Sequence, residues 1–154
     1  LSPLINYYYY VSIIYINARF KELKMKFAIE AEDAIIGVLC GILLLGLAGK
    51  FFSLKLHDSV YVIAFGIFII FIILDIINEF KDLSSLGLIF LSILHNIADL
   101  TISLAFISHF TGIKIPYVTQ YLVPYLQNPE IVAGIGIFLV VTNALWLLTM
   151  PFWI

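Results

Sequence analysis

Four long apolar runs constrain the fold of this chain more than any other feature. A helix needs about 20 mostly apolar residues to cross a bilayer, and the runs cover residues 34–52, 60–77, 83–110 and 131–154. Hydrophobic residues make up 63% of the 154 residues, charged residues only 12%, and the mean hydropathy is +1.11. A soluble domain of this size has too little interior to bury so much apolar surface. We therefore predict a single all-α membrane domain, a bundle of four transmembrane helices.

Two other segments are predicted to lie at the membrane surface. Residues 4–17 contain four consecutive tyrosines, which collect at the headgroup level, but the segment is short for a span. We predict an interfacial helix there, with a tilted fifth transmembrane helix as the alternative. Residues 115–127 carry Tyr117, Tyr121 and Tyr125 at four-residue spacing, which places them on one helical face. This segment is predicted to be a tyrosine-anchored surface helix rather than a platform that stacks a ligand.

The basic residues predict the orientation of the spans. With four spans, five of these residues fall on the side of the chain ends and three on the other side. The first set is Arg19, Lys21, Lys24, Lys26 and Lys81, and the second is Lys50, Lys55 and Lys114. Because cytoplasmic loops carry an excess of Lys and Arg, both ends are predicted to be cytoplasmic. The first 17 residues lack the basic region and cleavage site of a signal peptide, and Met25 is a plausible alternative start.

Charge, cysteine content and motifs exclude several classes of function. The net charge of −2, with no large basic patch, argues against a nucleic-acid partner. Cys40 is the single cysteine, so an internal disulfide is excluded, and we predict that it is a packing residue. Gly37 and Gly41, four residues apart, predict the close approach of another helix. The sequence has no Gly-x-Ser-x-Gly or His-Glu-x-x-His motif, which favours a non-enzymatic protein.

A polar stripe runs along the third apolar run, within about a third of the helical circumference. Its members are Ser85, Ser92, His95, Asn96, Asp99 and Ser103. Unpaired polar groups in hydrocarbon cost several kcal/mol each, so the stripe must face the bundle interior, water or a partner. His95 and Asp99 are four residues apart, so their side chains can make contact. Asn143, near the middle of the fourth run, is the predicted partner at a similar depth.

Acidic residues are predicted to form a collar at the cytoplasmic ends of the first two spans. They are Glu30, Glu32, Asp33, Asp75, Glu79 and Asp82. With a central His95/Asp99 group and an outer group of His57, Asp58 and His109, they suit a path for protons or cations. The simpler interpretation is that the collar residues are solvated helix ends, where those at the start of the first span favour its dipole.

Two functions remain open on these grounds. The first is a non-enzymatic subunit of a larger membrane complex, in contact with other subunits or copies of itself, with His95 and Asp99 as a proton or cation relay. The alternative is a redox, metal or haem protein with ligands among His95, Asp99, His109 and His57. His95 and His109 are 14 residues apart, a spacing similar to the paired haem ligands of cytochrome b proteins. Those proteins need partner histidines on another helix, so a chain without cofactor is favoured over a haem or transition-metal protein.

Overall fold

The computed structural model describes residues 3–81 and 86–149, and every regular element in these ranges is helical. The elements are α1 (Pro3–Ala48), α2 (Asp58–Glu79), α3 (Leu86–Thr111), α4 (Val118–Tyr121), a 3-10 turn (Val123–Gln127) and α5 (Pro129–Thr149). Among them, α1, α2, α3 and α5 are long and apolar enough to span a membrane. The prediction of a multi-pass, all-α bundle with four transmembrane helices is confirmed. Asp82, Ser85 and the predicted end of the fourth span at 150–154 lie outside the described residues.

The helix boundaries follow from local sequence. Gly49 has a φ of 69°, a left-handed conformation that favours glycine and commonly ends a helix, so α1 stops at Ala48. The predicted first span therefore loses residues 49–52. α5 begins with Pro129, a residue favoured at the first helical position. The side-chain oxygen of Asn128 accepts a hydrogen bond from the Glu130 N–H at 2.9 Å, which satisfies one of the donors left free at the helix start.

α1 is one uninterrupted helix of 46 residues, about 69 Å long at 1.5 Å per residue. The segment 4–17, predicted to be a separate interfacial helix, is the first third of α1. The reason is that residues 18–33 contain neither Gly nor Pro and are rich in strong helix formers. An uninterrupted helix cannot reverse its direction, so residues 4–17 belong to α1 and do not form the separate, tilted fifth transmembrane helix of the alternative. Every side chain from Tyr7 to Met25 is exposed in this chain.

The predicted surface helix at 115–127 is also different in the structure. It is divided into α4 and the 3-10 turn, because Pro124 cannot donate the backbone hydrogen bond that the interior of a longer helix requires. Tyr117 precedes α4 with a positive φ of 63°. Tyr117, Tyr121 and Tyr125 are all exposed, but they do not share one continuous helix.

Neighbouring transmembrane helices run in opposite directions. α1 packs most extensively on α5, α2 packs on α3, and α1 also packs on α2. Glu79, the last residue of α2, contacts Ser92 near the start of α3, while Phe65 in α2 stacks on Phe106 near the end of α3. At the other end of α1, the Lys50 ammonium lies 3.1 Å from the Glu130 carboxylate at the start of α5. The N-terminal part of α1 and the C-terminal end of α5 therefore lie toward the same end of the bundle as Glu79.

Glycines allow α1 and α5 to approach each other closely. A Cβ atom on Gly41 would lie 2.7 Å from the carbonyl oxygen of Gly136, and one on Gly136 would lie 2.9 Å from that of Gly41. The close approach predicted from the Gly37/Gly41 spacing is present, and its partner is α5. Gly37 leaves room for the side chain of Asn143, with which a Cβ atom at position 37 would overlap. This packing thus also determines where Asn143 can lie.

Candidate functional site

Five acidic side chains are buried inside the bundle, each no more than 4% exposed. They are Glu30, Asp33, Asp75, Glu79 and Asp99. Charged residues within membrane-spanning segments are expensive, and they usually pair, line water or mark a pathway. All of these except Asp99 belong to the predicted collar. Because these four collar residues are buried, their interpretation as solvated helix ends is wrong. Glu32, by contrast, is exposed on the outer face of α1.

Three of these carboxylates converge at one end of the bundle. One oxygen atom from each of Glu30, Asp75 and Glu79 lies within 4.8 Å of the other two. Ser92 donates a hydrogen bond from its hydroxyl to Glu79 Oε1 at 3.0 Å. Lys26, one turn before Glu30 on α1, places its ammonium 3.9 Å from Glu30 Oε1. We call Glu30, Asp75 and Glu79 the carboxylate cluster.

A cleft of about 480 Å³ lies between α1 and the end of α2, at the same end of the bundle as the carboxylate cluster. Its lining includes Arg19, Lys26 and Lys81 as cationic side chains, together with Glu22. Lys26 lines the cleft and also contacts Glu30, so it stands between the cleft and the buried carboxylates. The cleft therefore borders the cluster through Lys26.

Asn96 and Asp33 lie next along the interior. The Asn96 side-chain amide donates a hydrogen bond to Asp75 Oδ2 at 2.6 Å. Asp33 follows Glu30 by three residues on α1 and lies within electrostatic range of Glu30, Asp75 and Asp99. The Oδ1 atoms of Asp33, Asp75 and Asn96 are buried, with no hydrogen-bond partner in the part of the chain that the structure describes. Buried polar atoms of this kind commonly hold ordered water or an ion.

His95, Asp99 and Asn143 meet at the inner end of this series, as their spacing and depth predict. His95 Nε2 lies 3.4 Å from Asp99 Oδ2 and 3.4 Å from Asn143 Oδ1. The Asn143 side-chain amide donates to Asp99 Oδ2 at 3.1 Å and to the Leu139 carbonyl at 3.0 Å. The His95 side chain is 12% exposed whereas Asp99 is fully buried. The imidazole stacks on the indole of Trp146, with ring centroids 5.3 Å apart.

The other members of the polar stripe turn away from lipid. Ser92, Asn96 and Ser103 are all buried, as predicted for polar groups that hydrocarbon cannot satisfy. Ser103 donates its hydroxyl hydrogen bond to the Asp99 carbonyl at 2.8 Å, so its bonding lies within its own helix. The stripe therefore contributes Ser92, Asn96 and Asp99 to the interior polar series, whereas Ser103 lies beyond the last member of that series.

Beyond Ser103 the interior becomes mainly apolar and aromatic, with Ser108 as a buried polar residue that bonds to the Ile113 carbonyl and the Thr119 hydroxyl. The rings of Phe65 and Phe106 stack with centroids 5.1 Å apart, and those of Tyr61 and Phe110 with centroids 4.9 Å apart. Cys40 is buried in this same apolar core, the environment expected of a packing residue. The polar series thus begins at the Glu79 end of the bundle and stops at Asp99, the fourteenth of the 26 residues of α3.

The predicted outer group does not continue this series. His57 caps the start of α2, where its Nδ1 accepts a hydrogen bond from the Ser59 N–H at 3.2 Å, and it is exposed. Asp58 is also exposed. His109 lies edge-on against Phe110, about 21 Å along α3 from His95 at 1.5 Å per residue. His57, Asp58 and His109 are therefore separated from the polar series by the aromatic stacks between α2 and α3.

The predicted metal ligands also lie apart. Within residues 3–81 and 86–149, the carboxylate cluster is the only group of three close metal-ligating side chains, and it contains neither Asp99 nor any histidine. All three members belong to the predicted acidic collar, but the sequence could not show that they converge, because the rotation of two helices about their axes depends on packing. Comparison with known proteins found no matching family model, no matching curated protein and no matching solved structure.

Proposed function

We propose that this chain is a non-enzymatic subunit of a larger membrane complex and that it relays protons between one membrane face and His95. The observation that carries the proposal is the series of five buried acidic side chains that extends from the Glu79 end of the bundle to Asp99, beside His95. Buried carboxylates and histidines in series are the usual elements of proton relays in membrane proteins.

The order of the relay groups follows from their contacts. Protons enter at the cleft beside Lys26 and reach Glu30 and Glu79 in the carboxylate cluster. They continue to Asp75, which Asn96 orients through its hydrogen bond. The Oδ1 atoms of Asp33, Asp75 and Asp99 have no hydrogen-bond partner among the described residues, so they can accept bridging water that connects successive carboxylates.

The end of the relay supports a role within a complex. Aromatic side chains occupy the interior beyond Asp99, whereas His95 is partly exposed beside Trp146. A proton that reaches His95 therefore leaves this chain sideways, toward a group on a partner subunit between α3 and α5.

The first half of α1 gives independent support for a partner. Residues 3–29 precede the bundle and extend about 40 Å at 1.5 Å per residue. Tyr8, Ile14 and Phe20 point in different directions around this helix, and each is at least 66% exposed. A helix that is apolar on all sides is normally buried in protein or membrane. This half of α1 is the part of the chain that we expect other subunits or lipid to cover.

The relay predicts that Asp75 controls how fast a proton reaches His95. A protonated imidazole quenches the fluorescence of a stacked indole. In a Trp153→Phe protein, which removes the other tryptophan, Trp146 fluorescence therefore reports the protonation of His95 after a pH jump. Asp75→Asn should slow this response at least about tenfold, because loss of a proton-transfer group commonly costs that much or more. Stopped-flow fluorescence of the detergent-solubilised protein measures the rate.

Two variants make this measurement specific. Asp58→Asn is the same substitution on the same helix at an exposed position, and it should leave the rate unchanged. His95→Gln should abolish the response, which assigns the signal to His95. An Asp75→Asn protein that responds as fast as the parent would contradict the relay.

We also infer that both chain ends are cytoplasmic. The antiparallel arrangement groups Arg19, Lys26 and Lys81 toward the Glu79 end of the bundle and Lys50 toward the other, which supports the orientation expected from the basic residues. Single cysteines at positions 2 and 154, in a Cys40→Ala background, should be protected from an impermeant maleimide in intact cells. Labelling of either position from outside would contradict this orientation.

A further inference from the structure

The carboxylate cluster has the dimensions of a cation site. Its three oxygen atoms, from Glu30, Asp75 and Glu79, lie within 4.8 Å of one another. Oxygen ligands bound to one Mg²⁺ or Ca²⁺ ion at about 2.0–2.6 Å can be at most about 4–5 Å apart. The three oxygens are therefore close enough to share one ion with little movement of their helices.

Asn96 adds a neutral oxygen next to the cluster. Its amide nitrogen is held by Asp75 Oδ2 at 2.6 Å, which places the geminal Oδ1 beside the same carboxylate. Asn96 is 1% exposed, and its Oδ1 has no hydrogen-bond partner among the described residues. The Oδ1 of Asp75 is likewise buried without a partner. A buried amide oxygen without a donor is a ligand atom available to an ion, since a buried acceptor without any partner is costly.

The local charge also favours a cation. The cluster holds three carboxylates, and Asp33 is a fourth within electrostatic range of Glu30 and Asp75. The facing cation on α1 is the Lys26 ammonium, 3.9 Å from Glu30, while His95 on α3 is within electrostatic range of Asp75. A bound cation would screen the repulsion among these closely spaced carboxylates.

We propose that Glu30, Asp75, Glu79 and Asn96 bind one divalent cation that prefers oxygen ligands, of the Mg²⁺, Ca²⁺ or Mn²⁺ class. Carboxylate and amide oxygens suit these hard ions, whereas softer metals favour thiolate or imidazole ligands, which the cluster lacks. The site shares its three carboxylates with the entrance of the proposed relay, where the ion would compete with protons for the same oxygens. It does not involve His95 or Asp99 at the inner end, so the two proposals can fail separately.

Mn²⁺ is a suitable probe because its free ion gives an electron paramagnetic resonance signal that binding broadens. Titration of the purified full chain in detergent should show one bound Mn²⁺ per chain. Glu79→Gln should weaken binding at least about tenfold, the lower end of the loss seen when even a supporting residue of a metal site is removed. Glu130→Gln, an exposed carboxylate changed in the same way, should bind like the parent. Asp99→Asn should also bind like the parent, which separates this site from the inner His95/Asp99 group.

Lys26→Met provides a test of opposite sign that does not require removal of a ligand. The variant loses the ammonium that competes with Mn²⁺ for Glu30, so its affinity for Mn²⁺ should rise. The proposal would be overturned if the parent binds no Mn²⁺, if Glu79→Gln binds as tightly as the parent, or if Lys26→Met does not bind more tightly. Weaker Mn²⁺ binding by the Asp99→Asn variant would place the ion at the inner His95/Asp99 group instead and would equally overturn this assignment.

Discussion

Asp99→Ala should destabilise the bundle by about 1–3 kcal/mol, the penalty typical of leaving buried polar partners without their acceptor. Asp99 Oδ2 accepts the hydrogen bond of Asn143 at 3.1 Å and lies 3.4 Å from His95 Nε2. The carboxylate therefore connects α3 to α5 through both residues, and its loss leaves the Asn143 amide with the Leu139 carbonyl alone. Thermal or denaturant unfolding in detergent, followed by circular dichroism, measures the effect.

His95→Ala should not add its full effect to that of Asp99→Ala. Residues that share one contact show non-additive free energies of unfolding, and polar contacts between transmembrane helices average about 0.6 kcal/mol. The matched control is Asp58→Ala, which removes an exposed aspartate and should change stability little. Strictly additive single and double variants would show that His95 and Asp99 do not act together.

Gly136→Leu should be among the most destabilising single substitutions in this chain. Even the Cβ atom would lie 2.9 Å from the Gly41 carbonyl oxygen and 3.1 Å from the Leu45 side chain. The backbone oxygen cannot move without separating α1 from α5, the most extensive helix contact in the bundle. Overpacking of this kind typically costs about 1–3 kcal/mol and occasionally more. The free energy of unfolding in detergent is again the measured quantity.

Gly134→Leu is the control for this substitution. Gly134 lies two residues away on the same helix, is exposed, and has no atom within 4 Å of its ideal Cβ position. Leucine at position 134 should therefore be tolerated. Equal stability of the Gly134→Leu and Gly136→Leu proteins would contradict the close contact between α1 and α5.

The transmembrane helices could be predicted from sequence because their signal is local. A run of about 20 apolar residues has few alternatives in a bilayer, where each backbone polar group must be bonded internally. The continuity of α1 was harder to predict, since the tyrosine-rich segment and the first apolar run differ in composition. Only the absence of Gly and Pro between residues 18 and 33 indicates that one helix joins them. Pro124 similarly shows why the predicted surface helix is divided.

The site was predictable where it depends on spacing within one helix. His95 and Asp99 are one turn apart, so their contact follows from helical geometry. The carboxylate cluster depends instead on how α1 and α2 are rotated toward each other. Asp75 and Glu79 are four residues apart and share a face, but the sequence does not show that this face meets Glu30 rather than water. Likewise, the aromatic stacks that end the polar series form only when α2 and α3 pack.

The central claim is that His95 exchanges protons with one membrane face only, through the buried acidic series. In vesicles that hold the Trp153→Phe protein in one orientation, a pH jump outside the vesicle tests this directly through Trp146 fluorescence. The signal should change rapidly when the Glu79 end faces outward, and only at the rate of passive proton leakage when it faces inward. Equally fast responses in both orientations, or a fast response only from the opposite face, would contradict the relay.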